Sequence, residues 1–363
     1  MQIHDHRSLK KTPKRCLLPL LLSVALVNFW LAVRLADTRV YADPDKSDDR
    51  AVNRDEPVLG QDRQRPSNSI AAPCPHWCHG FPFRGIIKRT THAEVPTDDS
   101  GKKNSKPYFL TAVLSVRIYD WKDKAKLSTR ELIQWLRYIS YAGGDHVYLY
   151  DAYVYQNESQ KAGLKDFIAS GFLTYTDWHH RATPFSLGWT QAGAYLDCLE
   201  RWGNLSSWQL GVDMDEYPFL PADREPGFLA RYLREFDTSS PTAASISELS
   251  MQNFLYLGKP LDVAKHPILI DRIWRRTKEP ANHLVKPVYR PAAVRWPDIH
   301  HNSLKYGTRK ILPETDLRMN HYWGARLQNW GEDTQEVLEM TMEDRSMEPI
   351  VTNLYKCDSC RPP

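Results

Sequence analysis

The sequence predicts an α/β protein with a mostly parallel central sheet, helices on both faces and one transmembrane helix before the domain. Two observations predict the sheet. Apolar, β-rich runs alternate with amphipathic helical segments between residues 108 and 212, an order that favours parallel strands joined by crossover helices. Two of these runs end on aspartate, at Asp151 and Asp213. The third observation is an apolar run at residues 16–34 with basic residues before it, which predicts the membrane helix.

The first strand and the first helix have clear signals. Residues 108–116, YFLTAVLSV, are rich in β-branched and aromatic side chains and predict a strand. Residues 128–141 have apolar positions at helical spacing. Ser128 and Glu131 predict a capping box at the start of this helix, and the Gly-Gly pair at 143–144 predicts its end.

The remaining elements continue the alternation. Further strands are predicted at residues 146–150, 172–175 and 208–213, and further helices at residues 160–169 and 190–202. Beyond residue 220 the pattern is less regular, with a helix predicted at 226–236 and a strand at 243–250. Carboxyl ends of parallel strands meet at one edge of a sheet, where open α/β folds bind their ligands. Asp151 and Asp213 are therefore expected at that edge.

The N-terminal region predicts a tethered protein. Basic residues before the apolar run favour a cytoplasmic N-terminus and a lumenal body, and a cleaved signal peptide is the competing interpretation. The stretch that follows the apolar run is poor in aliphatic residues and predicts a flexible stem. Sequons at Asn157 and Asn204 agree with a lumenal body. The predicted division is a cytoplasmic tail at 1–15, a signal anchor at 16–34, a stem at 35–104 and a catalytic domain at 105–363.

Six cysteines are present. In an oxidising lumen four of them predict two disulfides with three possible connectivities, one of which joins the N-terminal edge of the domain to the C-terminus. A zinc site formed by the same four is the rival interpretation. Cys198 lies in a helical pattern and is expected to be a free core cysteine. The four paired candidates are Cys74, Cys78, Cys357 and Cys360.

The strongest chemical motif is WQLGVDMDEYPFL at residues 208–220. If the strand continues through it, Asp213 and Asp215 point the same way and Met214 points into the core, until Pro218 ends the strand. Two converging carboxylates without a nearby lysine repel each other, and a divalent cation resolves the repulsion. Carboxylate oxygens suit Mg²⁺ or Mn²⁺, which in turn bind diphosphates.

Other function classes lack their signatures. The sequence has no G-x-G-x-x-G or G-K-[ST] loop, so Rossmann dinucleotide and P-loop nucleotide binding are not predicted. The net charge of +4 is modest, and no clustered basic face predicts nucleic-acid binding. Two alternatives to a transferase remain open: a lumenal glycan-binding protein without turnover, and a metal-dependent phosphodiesterase or hydrolase.

These motifs together resemble glycosyltransferase family 92. The segments that carry the resemblance are WLRYISYAGGDHVYLYD at 135–151, Gln191 with the Cys-Leu pair at 198–199, WQLGVDMDEYPFLP at 208–221, and VKPVYRPAAV followed by IHH within 285–301. The resemblance implies a GT-A fold, a nucleotide-sugar donor, Mn²⁺ dependence and residence in the Golgi membrane as a single-pass type II protein. It also implies transfer of galactose from UDP-galactose to a glycan acceptor, with inversion.

The resemblance also assigns roles. Asp213, Asp215 and His321 match the metal shell, and Asp215 acts in catalysis through the metal. Lys286 and Arg290 lie in the family's basic segment and are expected to contact the diphosphate, while Asp151 and Arg117, at strand ends, are further donor-binding candidates.

Inverting transfer needs a base that accepts the proton of the acceptor hydroxyl. Glu248 is predicted for this role because it lies on the strand after the metal motif, with three aspartates as alternatives, Asp271, Asp298 and Asp316. Four tryptophans are candidates for stacking on sugar rings. These are Trp189, Trp274, Trp296 and Trp323.

Overall fold

The computed structural model describes residues 74–79, 106–118, 127–181, 187–281, 285–326 and 330–359. All of them belong to one compact unit, Arg65–Pro363. The predicted tail, the signal anchor and nearly all of the stem lie outside the described residues. Within the described ranges, no helix has the length and apolar character needed to cross a membrane.

The described chain contains fourteen strands and six α-helices. In order they are β1 Tyr108–Val116, α1 Thr129–Ala142, β2 His146–Asp151, α2 Lys165–Ala169, β3 Leu173–Asp177, α3 Leu187–Trp202, β4 Ser206–Gly211, β5 Glu216–Phe219, α4 Phe228–Ser239, β6 Ile246–Met251, β7 Asn253–Leu255, β8 Arg275–Thr277, β9 Lys286–Tyr289, β10 Val294–Trp296, β11 Ser303–Leu304, β12 Thr308–Ile311, β13 Arg318–His321, α5 Gln335–Met340, β14 Thr341–Glu343 and α6 Glu348–Ser359.

Seven of these strands form the central sheet, in the order β12-β6-β9-β4-β1-β2-β3. Every neighbouring pair in it is parallel except the two pairs that involve β9, which runs antiparallel to both β4 and β6. The mostly parallel sheet predicted from the sequence is confirmed. The reversal of β9 brings the start of that strand to the edge where its parallel neighbours end.

Helices cover both faces of the sheet, as predicted. Side chains alternate along β2, so Val147 and Leu149 join the large core that also contains α1. Tyr148 and Tyr150 point to the opposite face, where they join a second apolar cluster with Tyr195 of α3. Because both faces are buried there, the central strands β1 and β2 are apolar along most of their length.

Helix α1 begins and ends where its sequence predicts. The Ser128 side chain accepts a hydrogen bond from the first turn, and Glu131 bonds back to the Ser128 backbone. Gly143 ends the helix with a left-handed φ of 99°, and a Cβ at this position would lie 2.7 Å from Ala230 Cβ. The helix also contacts the start of β5, because Trp135 donates a hydrogen bond from Nε1 to the carbonyl of Glu216, at 3.1 Å.

A second, three-stranded sheet has the order β5-β13-β7. The expectation that Pro218 ends a strand is wrong, because Pro218 lies inside β5, opposite Met319 of β13. Strand β5 is at the edge of this sheet, and proline is tolerated there because its missing N–H need not face a partner strand. This sheet brings residues 216–219 and 318–321 side by side directly after the acidic motif.

A disulfide joins Cys78 to Cys357, across 279 residues of sequence, with the Cα atoms 5.3 Å apart. It connects the short helical turn His76–His79 to α6. The predicted connection between the N-terminal edge and the C-terminus is confirmed for this pair, and the zinc interpretation of these cysteines is wrong. Cys198 is free and buried, as predicted.

Removing this cross-link is expected to destabilise the domain. The double replacement Cys78→Ser and Cys357→Ser should lower the free energy of unfolding by about 2–5 kcal/mol, because the cross-link restricts a very long loop in the unfolded chain. Urea unfolding followed by tryptophan fluorescence measures the loss. Cys198→Ala removes the free buried thiol and keeps the cross-link, and an equal loss in that variant would contradict the explanation.

Candidate active site

The acidic motif forms a tight turn between β4 and β5. The carbonyl of Asp213 accepts a hydrogen bond from the Glu216 N–H at 3.1 Å. The Asp213 N–H in turn donates to the Glu216 carboxylate at 2.9 Å. The expectation that Asp213 and Asp215 alternate along one strand is therefore wrong, because β4 ends at Gly211. The side chains of Asp215 and Glu216 are fully buried, whereas that of Asp213 is 25% exposed.

A lysine lies inside this acidic group. The Lys286 ammonium is 3.0 Å from the Glu216 carboxylate and 3.4 Å from that of Asp213. The expectation of two aspartates without a nearby lysine is wrong, because reversed β9 begins beside the end of β4. Burial by itself lowers the pKa of Lys286, but Asp213 and Glu216 outweigh burial, and the pKa is raised above its ordinary value. The lysine is therefore charged.

His321 meets the acidic turn from β13. Its Nε2 lies 3.1 Å from the Asp215 carboxylate, and its Nδ1 lies 3.4 Å from that of Glu216. The contact follows from strand pairing, because His321 is directly opposite Glu216 in the antiparallel pair of β13 and β5. The structure thus brings together two of the three predicted metal ligands, which are 106 residues apart in sequence.

The third predicted ligand, Asp213, is held by other side chains. Gln191 of α3 donates from its amide to one carboxylate oxygen of Asp213 at 2.6 Å, and Lys286 lies beside the other oxygen. Gln191 also donates to the Tyr195 hydroxyl at 3.1 Å, and that hydroxyl donates to the carbonyl of Val212. The orientation of Asp213 is therefore set by α3 and β9.

The residues of this group fit a divalent cation in charge and donor chemistry. Three carboxylates, Asp213, Asp215 and Glu216, face one lysine and one histidine. Burial, followed by the neighbouring aspartates, raises the pKa of Glu216 against the opposing effect of Lys286. Carboxylate oxygen and imidazole nitrogen are suitable ligands for Mn²⁺. Across the described ranges, no three acidic, histidine or cysteine side chains are already arranged as a complete metal cage.

Asp151 and Arg117 lie at the same edge of the sheet, at the ends of β2 and β1. Asp151 is two strands away from β4, a separation of about 10 Å at ordinary strand spacing. One of its oxygens accepts hydrogen bonds from the Gln160 N–H and the Tyr175 hydroxyl, both at 2.7 Å. Burial raises the pKa of this carboxyl.

Arg290 lies away from the acidic turn, contrary to the predicted diphosphate contact. It follows the last residue of β9, about 13 Å along the strand from Lys286 at ordinary strand rise. Because β9 is antiparallel to β4, this end lies beside the start of β4, far from the carboxyl edge. Its guanidinium is 2.6 Å from the Asp237 carboxylate and stacks over the Trp208 ring at 4.1 Å.

Glu248 is fully buried in the middle of β6. One carboxylate oxygen forms an ion pair with Arg309, and the other accepts a hydrogen bond from the Asn302 N–H at 3.2 Å. These contacts argue against Glu248 as the base that takes the acceptor proton, because both oxygens already have partners. Two of the alternative aspartates are also engaged, since Asp316 accepts a hydrogen bond from Tyr232 and Asp271 accepts one from Tyr355.

The candidate tryptophans differ in accessibility. Trp323 stands beside the site, with its ring 5.2 Å from that of His321. Trp296 is 57% exposed, whereas Trp274 is buried under Arg345. The side chain of Trp189 lies outside the described residues. Trp323 and Trp296 therefore remain the candidates for a sugar-stacking surface.

Together, the reversed strand, the acidic turn and the histidine define an α/β protein with a charged ligand site at the carboxyl edge of its sheet. Glycosyltransferase family 92 matches residues 125–356, which include the acidic turn, Lys286 and His321 and begin after Arg117. The chain belongs to glycosyltransferase family 92, and the resemblance predicted from its motifs is confirmed. A comparison with curated proteins gave no match.

Proposed function

We propose that this chain is a Mn²⁺-dependent glycosyltransferase that moves galactose from UDP-galactose to a glycan acceptor with inversion. Membership of glycosyltransferase family 92 supports sugar transfer. The observation that carries the metal dependence is the contact between Asp215 and His321 inside a buried surplus of carboxylates. A buried surplus of negative charge is unfavourable unless a cation neutralises it.

The proposed fold is of the GT-A type, with the donor at the carboxyl edge of the sheet. Asp215 and His321 would hold the metal, and Gln191 orients Asp213 toward the same group. Bound Mn²⁺ would supply Lewis-acid stabilisation of the leaving diphosphate. Lys286 adds a fixed positive charge at this edge and keeps Asp213 and Glu216 in place. Asp151 and Arg117, at the neighbouring strand ends, are the proposed contacts to the nucleoside.

The proposed location is the Golgi membrane, with a single-pass type II anchor at residues 16–34 and a lumenal catalytic domain. The Cys78–Cys357 disulfide supports an oxidising compartment. Asn157 and Asn204, the two sequon asparagines, are both exposed and therefore accessible to glycosylation.

One observation favours the second candidate, a glycan-binding protein without turnover. Lys286 occupies the space between Asp213 and Glu216, so an ammonium already neutralises part of the acidic group. In this alternative the domain would bind glycans but would release no UDP from a sugar nucleotide.

A donor screen separates the two candidates. The assay uses the full-length chain in detergent with UDP-galactose and Mn²⁺. The acceptors are a panel of oligosaccharides that end in galactose, glucose, N-acetylglucosamine or fucose. The chain is expected to release UDP and to extend one of these acceptors. Excess EDTA should remove the activity, and added Mn²⁺ should restore it. UDP-glucose and UDP-N-acetylglucosamine serve as donor controls. Glycan binding with no UDP release from any donor would contradict the transferase proposal.

A further inference from the structure

A loop at residues 297–302 lies against the start of β9 and carries a histidine with a defined orientation. The Nδ1 of His300 lies 3.1 Å from the carbonyl of Val285, the residue directly before Lys286. A carbonyl can only accept, so Nδ1 carries the proton, and in the neutral ring Nε2 has a free lone pair. Within the described part of the chain, no hydrogen-bond partner of Nε2 is found. His300 is partly exposed, so Nε2 can reach a ligand.

The loop is held by a chain of hydrogen bonds that begins at the exposed Asp298 and ends at the buried Glu248. The Asp298 carboxylate accepts hydrogen bonds from the N–H groups of His300 and His301, at 2.8 and 3.0 Å. The Asn302 side chain accepts one from the Asp298 N–H at 2.9 Å. The Asn302 N–H donates to Glu248, whose carboxylate is paired with Arg309. Glu248 therefore anchors the loop that positions His300.

Burial, assisted by the Lys286 charge, keeps the His300 ring neutral. Burial, and then the Lys286 ammonium, lower the pKa of His300 to about 4, against smaller opposing effects of the Val285 carbonyl, Asp213 and Asp298. At neutral pH the ring is unprotonated and can accept a proton. The ring lies at the edge of the proposed donor site, because its Nδ1 bonds to the residue directly before Lys286 and the charges of Lys286 and Asp213 act on it.

We propose that Nε2 of His300 accepts the proton of the acceptor hydroxyl during sugar transfer, with Glu248 and Asn302 as positioning residues. This inference rests on the proposed function. As Nε2 takes the proton, the hydroxyl oxygen forms its bond to the anomeric carbon of the donor. The bond from that carbon to the β-phosphate oxygen breaks, and its electron pair leaves with UDP. The proton then passes from the imidazolium to solvent.

The test compares His300→Ala with His301→Ala, its exposed neighbour on the same loop, in the full-length chain. With UDP-galactose, Mn²⁺ and the best acceptor of the oligosaccharide panel, His300→Ala is expected to lower kcat by about 10²–10⁴-fold, the usual contribution of a general base. His301→Ala should keep the wild-type kcat. Added imidazole should restore part of the activity of His300→Ala, because a small base can enter the space that the ring leaves.

Two further measurements separate catalysis from folding. The affinity for UDP in the presence of Mn²⁺ and the thermal midpoint should be unchanged in His300→Ala, and the product should have the inverted anomeric configuration. The inference would be overturned by wild-type kcat in His300→Ala or by an equal loss of kcat in His301→Ala. It would also be overturned by a loss that imidazole does not restore, or by a product with retained anomeric configuration. An inactive wild-type chain would overturn the proposed function and the inference with it, whereas an active wild type with an equally active His300→Ala overturns the inference alone.

Discussion

Replacing Asp215 with Asn is expected to lower sugar transfer by about 10³-fold or more, because the proposed metal stabilises charge that develops on the leaving diphosphate. The substitution keeps the size of the side chain and leaves an oxygen that can accept a hydrogen bond from His321, which lies 3.1 Å away. It removes one negative charge from the buried group. The fold should therefore survive while metal binding is lost.

The measurement is UDP release from UDP-galactose with Mn²⁺, combined with thermal unfolding. In the wild type, Mn²⁺ with UDP should raise the melting temperature, since ligands that bind the native state stabilise it. This rise should be absent in Asp215→Asn. Asp223→Asn is the matched control, because Asp223 pairs with Arg231 on the surface after β5 and lies outside the acidic turn. A folded Asp215→Asn protein with wild-type transfer would remove Asp215 from the site.

The second large effect is expected at a buried ion pair beneath the site. Arg272 and Glu131 are 2.5 Å apart, and their side chains are 2% and 0% exposed. Arg272→Ala should lower the free energy of unfolding by about 3–5 kcal/mol, because it leaves the Glu131 carboxylate buried without its main partner. Arg130→Ala is the matched control. Arg130 bonds the same carboxylate from an exposed position, so its loss should cost less than about 1 kcal/mol.

The pH dependence of this effect has a defined sign. Burial alone raises the pKa of Glu131, but hydrogen bonds from Ser128 and Arg272 and the charge of Arg272 outweigh it, so the pKa lies below the ordinary 4.5. The stabilisation from this pair is therefore fully present above pH 4.5 and is lost as the pH falls below that value. In Arg272→Ala, protonation of Glu131 relieves the buried charge. The difference from wild type, measured by urea unfolding, should shrink on acidification, and a difference that is constant with pH would contradict this origin.

Several elements follow from local sequence because their determinants are local. The capping box of Ser128 and Glu131 and the left-handed Gly143 define helix α1 without reference to the rest of the fold. Strand β1 matches its predicted limits, since its alternating side chains meet apolar cores on both faces. The predicted helix at 160–169 is shorter, at Lys165–Ala169, and residues 161–164 form a turn before it.

The site was predictable in part. A D-x-D motif after an apolar strand indicates an acidic, metal-binding edge, and His321 was recognisable through the family resemblance. The roles of Lys286 and Gln191 toward Asp213 were not predictable from residue types, because both contacts depend on which strand and which helix lie next to the turn. Glu248 is the opposite case. Its position on the strand after the metal motif favoured a catalytic role, whereas its contacts with Arg309 and Asn302 indicate that it supports a loop.

The sequence by itself determined the family, the order of strands and helices up to the acidic motif, the motif itself and the cysteines available for a cross-link, because each of these depends on residue types and short spacings. Only the tertiary structure decided that β9 runs against its neighbours, so that Lys286 reaches the acidic turn and Arg290 does not. Strand direction depends on pairing between residues far apart in sequence, and spacing along the chain carries no record of that pairing.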